Sequence, residues 1–171
     1  QSVVTRSDYM RLLRQYAALH FQGGRLDLEE DYHPDTGRPI VGLARSHHYF
    51  HSGFNDLVLT GLVGMRPRAD DILEINPLLP GDADPQALRW FHIQDVPYHG
   101  RSISVTWDAD GRRYGGDPGL TIAVDGVPVA HRATMGRLEI PIARRDAPPA
   151  TRPIAQSVQL VRGAFPKGSA S

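Results

Sequence analysis

The stretch that decides the fold is residues 28–64, LEEDYHPDTGRPIVGLARSHHYFHSGFNDLVLTGLVG. It opens with the adjacent carboxylates Glu29, Glu30 and Asp31, and the turn-forming residues 32–37 follow them. A basic, histidine-containing loop then leads into an apolar segment. A carboxylate on a loop that returns to an aromatic helix start is a candidate general acid or base. A simpler interpretation of these residue types is a solvated acidic turn between two helices.

The segment before this stretch has the periodicity of an amphipathic helix. Ser7 is the predicted N-cap, and Asp8 favours a helix N-terminus. Gly23 and Gly24 are expected to end the helix. The residues that recur at helical spacing are Tyr9, Leu12, Leu13, Tyr16, Ala17 and His20.

Residues 50–63 predict a second helix, with Gly64 just past its C-terminus. Its apolar side chains occur nearly all the way round: Phe54, Leu57, Val58, Leu59, Leu62 and Val63. A helix of this kind is expected to be buried on all sides. Two helices cannot provide that burial, so we expect the covering residues to lie outside this chain, which we interpret as a fragment.

Beyond residue 66 the composition changes to short β-type runs separated by turns. Ile103, Val105 and Trp107 alternate with polar residues, which is the period of a half-buried strand. The pairs 110–111 and 125–126, both Asp-Gly, predict hairpin turns. The predicted strands lie at 71–75, 88–93, 102–107, 120–124, 127–130 and 138–142. Their spacing predicts an antiparallel β-sandwich.

Residues 30–37, EDYHPDTG, have the pattern E-x-Y-x-P-x-T-G. This pattern resembles a segment near the end of the catalytic domain in inverting glycosidases with a six-hairpin (α/α) barrel, the group of mannosylglycerate-hydrolase-like and processing-α-glucosidase-like enzymes. The leading glutamate is the catalytic base in that group, and the resemblance gives this role to Glu30. The family's aromatic-Gly-Trp-Ser run corresponds to residues 49–52 and implies that Tyr49, Phe50 and His51 bind substrate. Here Phe50 replaces the glycine and His51 the tryptophan, which changes the expected sugar pocket.

The resemblance implies an α+β chain in which the last helices of an (α/α) toroid barrel precede an antiparallel β-sandwich. We expect residues 1–66 to complete the barrel and its site loop, and residues 67–142 to form the sandwich. Residues 143–171 contain a Pro/Ala/Arg-rich linker and the start of a possible further module, similar to a discoidin-type carbohydrate-binding module.

The implied reaction is hydrolysis of a glycosidic bond with inversion, with Glu30 as general base and a carbohydrate as substrate. The general acid is expected in an upstream catalytic-domain polypeptide, so the chain alone should be inactive. The alternative is a non-catalytic β-sandwich accessory or carbohydrate-binding module. Phosphorolysis on the same barrel type would replace the base by phosphate, and a glutamate at position 30 argues against it.

Composition excludes several other classes. Nineteen basic residues balance nineteen acidic ones, which gives no indication of a nucleic-acid or membrane partner. The absence of cysteine excludes disulfides and thiolate catalysis but does not fix the compartment. A secreted or periplasmic location is the expectation. No apolar run reaches the length of a membrane span.

Two motifs invite a metal-binding interpretation. The histidines at 47, 48 and 51 are close in sequence, but no H-E-x-x-H motif accompanies them. Residues 108–111, DADG, begin like a calcium loop, but the remaining ligands of that loop do not follow. A polar hairpin turn is the better interpretation of residues 108–111. We therefore expect neither a metal nor a cofactor.

Other candidates compete with these assignments. Glu29 and Asp31 are alternatives to Glu30 as the base. His51 is as compatible with a buried structural histidine as with a sugar contact. Trp90, Phe91 and Trp107 could form an exposed sugar-stacking platform, although burial in the sandwich core is the more common fate of such residues.

Overall fold

The computed structural model describes residues 4–22, 24–40 and 53–146. A helical segment precedes two antiparallel sheets. The first part consists of α1 (Arg6–Leu19), the hairpin strands β1 (Phe21–Gln22) and β2 (Arg25–Leu26), and α2, which starts as Gly53–Asp56 and continues as the π-helix Leu57–Leu62. The sheets are built from β3 (Met65–Arg66), β4 (Ile72–Ile75), β5 (Trp90–Tyr98), β6 (Arg101–Asp108), β7 (Gly119–Val124), β8 (Val127–Arg132) and β9 (Leu138–Pro141).

The N-terminus of α1 is fixed by a capping box. The Thr5 side chain accepts a hydrogen bond from the Asp8 amide, and the Asp8 carboxylate accepts one from the Thr5 amide. The hydrogen bonds from Thr5, and then that from Arg11, lower the pKa of Asp8 to about 2. The prediction of Ser7 as N-cap is wrong, because Asp8 stands three residues after Thr5, the spacing a capping box requires.

The C-terminus of α1 also differs from the prediction. The helix ends at Leu19, and the next residues form the hairpin of β1 and β2. Gly24, with φ +78°, lies in the hairpin turn rather than next to the helix end. A tight turn and a helix C-terminus both favour glycine at positive φ, so the residue type alone does not distinguish them.

The predicted second helix is confirmed for Gly53–Leu62, but its second half is π-helical. Leu62 and Val63 are buried at the sandwich end, whereas Leu57 is 40% exposed. Within the described chain the helix is therefore covered on one side only. The burial expected on all sides is not reached there.

The two sheets confirm the antiparallel β architecture. Strands β3, β4 and β9 form a three-stranded sheet, and β5, β6, β7 and β8 form a four-stranded meander. Each of the six predicted runs overlaps an observed strand. Strand β3 was not predicted, because two residues are too short for a period-2 pattern.

The core joins the helices to both sheets. Ile103, Val105 and Trp107 of β6 point inward, as their alternation predicts, and all three are buried. Met10 of α1 and Val63 at the end of α2 belong to the same cluster of buried residues. The division into 1–66 and 67–142 stays a prediction, and one hydrophobic core spans the two parts.

One of the two predicted Asp-Gly turns is confirmed. Asp125 (φ +52°) and Gly126 (φ +81°) link β7 to β8, with Val124 paired to Val127. The pair 110–111 also lies in the connection of a hairpin, between the antiparallel strands β6 and β7, but this connection is longer, residues 109–118, so the pair does not form a tight turn by itself.

A network of charged side chains spans the strands of the three-stranded sheet. Arg68 contacts Asp70 at 2.6 Å, Glu74 at 2.8 Å and Glu139 at 3.1 Å. Arg137 contacts Glu74 at 3.1 Å and Glu139 at 2.7 Å. The hydrogen bonds from Arg137 and then Arg68 lower the pKa of Glu74, and the hydrogen bonds from Arg68 lower the pKa of Asp70.

Gly64→Ala should destabilise the protein severely. Gly64 has φ +74°, and a Cβ there would overlap the backbone of Asn76. That backbone cannot shift without displacing the segment that follows β4. We expect a loss of about 3 kcal/mol or more in the free energy of unfolding. Gly81→Ala is the matched control, because no atom lies within 4 Å of its Cβ position. Equal urea midpoints for the two variants would contradict a steric conflict between residue 64 and Asn76.

The charged network predicts a pH dependence. The pKa values of Asp70 and Glu74 are lower in the folded state, so their stabilisation is present above the unfolded-state pKa values and is lost as pH falls through the folded ones. Stability should therefore decline below about pH 5. Arg68→Met combined with Arg137→Met should reduce stability at pH 7 and flatten this decline in urea titrations. Arg89→Met is the control, since the Arg89–Asp110 distance is 3.8 Å. Equal acid-induced losses in wild type and double variant would refute the assignment.

Candidate functional site

The loop that carries the E-x-Y-x-P-x-T-G pattern folds as a closed hairpin. Tyr32 and Pro39 form an isolated antiparallel bridge. The Gly37 amide donates to the His33 carbonyl at 2.8 Å, and the His33 amide donates to the Arg38 carbonyl at 2.9 Å. The tyrosine and the glycine of the pattern therefore shape this turn, and its proline, Pro34, lies within it.

The hairpin is packed on the end of α1. Gly37 has φ +64°, and a Cβ at this position would lie 3.0 Å from Leu19 Cδ2. Glycine is thus favoured there by backbone conformation and by the close approach to Leu19. The Ile40 amide donates to the Asp31 carbonyl at 2.9 Å, which closes the base of the hairpin next to the carboxylates.

The two glutamates before the hairpin lie in different environments. Glu29 is only 5% exposed, and its amide donates a hydrogen bond to Tyr32 Oη at 3.1 Å. Glu30 is exposed to solvent. A residue that deprotonates water must have access to it. Of the two glutamates, Glu30 has that access in the described structure.

Aromatic side chains from three elements meet beneath this loop. Tyr16 on α1 and His20, the C-cap residue just past its end, have ring centroids separated by 5.2 Å. Phe54 at the start of α2 lies 5.3 Å from Tyr16, and Tyr32 of the hairpin lies 6.0 Å from His20. His20 is 6% exposed, and its Nε2 has no hydrogen-bond partner among the described residues. The i, i+4 spacing of Tyr16 and His20 was the sequence signal for this cluster.

A largely apolar groove of about 210 Å³ adjoins the aromatic cluster. Its polar members are His20 and Asn55. Leu28, which also lines the groove, directly precedes the three carboxylates in the sequence. The residues that line it are Ala17, His20, Phe21, Leu26, Leu28, Phe54 and Asn55. Glu30 is not among these lining residues.

A second apolar groove, of about 350 Å³, runs between α1 and α2 and is lined by Tyr9, Leu12, Leu13, Tyr16 and Leu57. The Tyr9 hydroxyl donates to the Leu57 carbonyl at 2.6 Å. Burial raises the pKa of Tyr9, while the charge of Arg66 opposes that shift. Both grooves are lined in part by residues of α1.

Several predicted site residues lie outside the described ranges. Tyr49, Phe50 and His51 fall between residues 40 and 53, so their roles stay predictions. The assignment of Glu30 as base likewise stays a prediction. No group of three His, Asp or Glu side chains suited to a metal ion occurs in the described part of the chain. Across the same residues, every helix is too short or too polar to cross a membrane.

The three aromatic residues that could form a stacking platform are separated by the sheet. Phe91 and Trp107 are core residues, and Trp107 Nε1 donates to the Leu88 carbonyl at 2.9 Å. Trp90 is exposed on the other face. A platform made of all three is therefore excluded.

Comparison with known proteins gives matches to two parts of the chain. Residues 1–52 match the family described as Mannosylglycerate hydrolase MGH1-like glycoside hydrolase domain. The predicted resemblance to these glycoside hydrolases is confirmed. Residues 65–131 match the family described as Glycosyl hydrolase family 65, C-terminal domain. The first match contains Glu30 and residues 49–51, and the second contains most of the sandwich.

A solved structure described as a sialidase is similar to most of the chain. The similarity has a TM-score of 0.73 and 41% sequence identity over 81% of this chain. The chain spans 13% of the length of that sialidase. The glycoside hydrolase context thus rests on both family matches and on the fold.

Tyr32→Phe should loosen the site loop without unfolding the protein. The change removes the Oη that accepts a hydrogen bond from the Glu29 amide at 3.1 Å and keeps the ring that faces His20. We expect a loss of about 1–2 kcal/mol and faster hydrogen exchange at the Glu29 amide. Tyr114→Phe, at an exposed tyrosine, is the control and should change neither quantity. Unchanged exchange at residue 29 would show that Tyr32 does not order the loop.

Proposed function

We propose that the chain forms the C-terminal part of the catalytic region of a glycoside hydrolase that inverts configuration, with Glu30 as general base. The observation that carries this proposal is the location of Glu30: it lies in the segment that matches a glycoside hydrolase domain and immediately precedes the ordered hairpin of the E-x-Y-x-P-x-T-G pattern. Exposure of its carboxylate is compatible with activation of water.

The barrel part of the proposal is supported by the exposed apolar surface of the helical segment. Leu12, Leu57 and the hairpin residues Phe21 and Leu26 are large apolar side chains open to solvent. They surround both apolar grooves. Exposed apolar surface of this extent is typical of a face that another element covers. In the proposal the remaining helices of a six-hairpin (α/α) barrel cover it, as part of an upstream catalytic-domain polypeptide.

The chemistry assigns one proton transfer to this chain. Glu30 accepts a proton from a water molecule as that water attacks the anomeric carbon of the sugar. A second carboxyl, in its acid form, protonates the leaving oxygen from the opposite side. In inverting enzymes these carboxyls stand roughly 6.5–9.5 Å apart, which leaves room for the water. The second carboxyl belongs to the upstream polypeptide in this proposal, so the chain alone is inactive.

The proposed substrate is a carbohydrate, in keeping with the glycoside hydrolase matches. Tyr49 and Phe50 would stack on a sugar ring, and His51 would hydrogen-bond its hydroxyls. The proposal also includes a secreted or periplasmic location, where an enzyme would encounter such carbohydrate substrates.

A second candidate function is that of a non-catalytic β-sandwich accessory or carbohydrate-binding module. It is favoured by one observation, namely that Glu30 does not line the apolar groove beside it. In that case the helical segment would serve only to attach the sandwich to its neighbour. The two functions differ in whether the carboxylate of Glu30 is needed for turnover.

Glu30→Gln, in a polypeptide that joins this chain to its catalytic domain, should reduce hydrolysis by about 10²–10⁴-fold, because the amide cannot accept the proton. Glu29→Gln and Asp31→Asn test the competing assignments, and Asp35→Asn, exposed in the same loop, is the matched control. Thermal unfolding should be unchanged in the Glu30 variant.

The stereochemistry supplies an independent test. Proton NMR of the first product should show the anomer opposite to that of the substrate. Full turnover by the Glu30→Gln enzyme would remove the assignment and favour the accessory function. Retention of configuration would remove the inverting mechanism.

A further inference from the structure

Two large aromatic side chains are exposed together on the outer face of the four-stranded sheet. Trp90 at the start of β5 is 47% exposed, and Tyr114 in the connection 109–118 is 43% exposed. Their ring centroids are 6.4 Å apart, and the ring planes are nearly perpendicular at 83°. The sandwich core does not need them, since Phe91 and Trp107 fill the inner face at the same level of the sheet.

The position of Tyr114 is fixed by a buried carboxylate. Asp108 is the register partner of Trp90 and is only 4% exposed. Its Oδ2 accepts a hydrogen bond from the Tyr114 amide at 2.8 Å. The Gly115 amide donates to the Gly111 carbonyl at 3.1 Å, which closes the turn next to it. The connection thus holds Tyr114 beside Trp90, and preorganised groups lose less conformational entropy when they bind.

Polar groups surround the two rings. The guanidinium carbon of Arg113 lies 4.4 Å from the centroid of the Trp90 ring, and no ion pair involves Arg113 within the described ranges. His92 lies 5.6 Å from Tyr114, and its Nδ1 is 2.8 Å from Thr106 Oγ1. We define Trp90, His92, Arg113 and Tyr114 as the aromatic surface. It combines apolar ring faces with donors and acceptors at their edges.

We propose that the aromatic surface binds a saccharide chain of pyranose units. A pyranose presents a face of C–H groups that packs on an aromatic ring, while its hydroxyls point outward from the edge of the ring. On this surface the C–H faces pack on Tyr114 and on the part of the Trp90 ring that the Arg113 guanidinium leaves open, and Arg113 and His92 hydrogen-bond the hydroxyls. The choice of a saccharide as ligand class rests on the proposed function as a glycoside hydrolase.

The aromatic surface is a separate site from the one proposed around Glu30. It lies on the sandwich and shares no residue with the two grooves along α1. A saccharide bound there would hold a polymeric substrate near the enzyme without taking part in bond cleavage. The obvious competing occupant is a protein partner, which would bury Trp90 without saccharide selectivity.

Titration of the full chain with maltoheptaose, cellohexaose, mannohexaose and xylohexaose tests the proposal, with tryptophan fluorescence and calorimetry as readouts. The chain has two tryptophans, and Trp107 is buried, so a ligand-induced change reports on Trp90. At least one oligosaccharide should bind, and Trp90→Ala should weaken that binding at least about 10-fold, as expected when a stacking ring worth more than 1.4 kcal/mol is lost.

Tyr114→Ala should also weaken binding, and Val129→Ala is the matched control because Val129 is 46% exposed on β8 of the same sheet. Absence of binding by all four oligosaccharides, or equal affinities for wild type and Trp90→Ala, would overturn the proposal. Glu30→Gln, in a polypeptide that joins this chain to its catalytic domain, separates it from the proposed function. Loss of hydrolysis with binding retained supports both assignments, and hydrolysis retained with Trp90-dependent binding removes only the role of Glu30.

Discussion

The close approach of two backbone segments at Gly64 is the constraint on which the arrangement of helices and sheets depends. Gly64 ends the helical segment with a positive φ and leaves no room for a side chain against Asn76. The Asn76 amide donates to the Gly64 carbonyl at 2.8 Å, and the Leu78 amide donates to the Gly61 carbonyl at 3.1 Å. The end of α2 is therefore fastened directly to the segment that leaves β4. The helical segment and its loop take their position on the sandwich from this junction.

The position of the helical segment on the sandwich in turn decides which of its surfaces are exposed to a ligand or a neighbouring element. One side of α2 enters the common core through Leu62 and Val63. The opposite side, with α1, leaves two apolar grooves open. The acidic residues 29–31 follow Leu28, which lines one of these grooves, and they lead into a hairpin with its own hydrogen bonds. In the proposed function, the further helices of the barrel would cover this apolar face.

Much of the β part could be predicted from the sequence, because the alternation at Ile103, Val105 and Trp107 reports directly on which face is buried. The capping box of Thr5 was readable too, since Asp8 has the required spacing, but Ser7 competed for the same role. The short strands β1, β2 and β3 could not be predicted. Each has two residues, and pairing rather than local pattern creates them.

The candidate site was predictable only in part. The turn-forming residues 32–37 predicted a turn, because proline and glycine fix local backbone geometry. The different burial of Glu29 and Glu30 was not predictable, since adjacent residues in an irregular loop follow no periodicity. The contacts of Phe54 with Tyr16 and of Trp90 with Tyr114 join residues far apart in the chain. Such pairs depend on tertiary packing.

The π-helical geometry of Leu57–Leu62 affects the direction in which the Phe54 side chain points. A π turn accommodates one residue more than an α turn, and one residue corresponds to about 100° of rotation about the helix axis. Phe54 can thus face Tyr16 while Val63, nine positions later, enters the sandwich core. The extra residue rotates the side chains at the start of the helix, relative to those at its end, about the helix axis. An uninterrupted α-helix anchored at the same glycine would turn Phe54 out of the aromatic cluster and leave the groove without its wall.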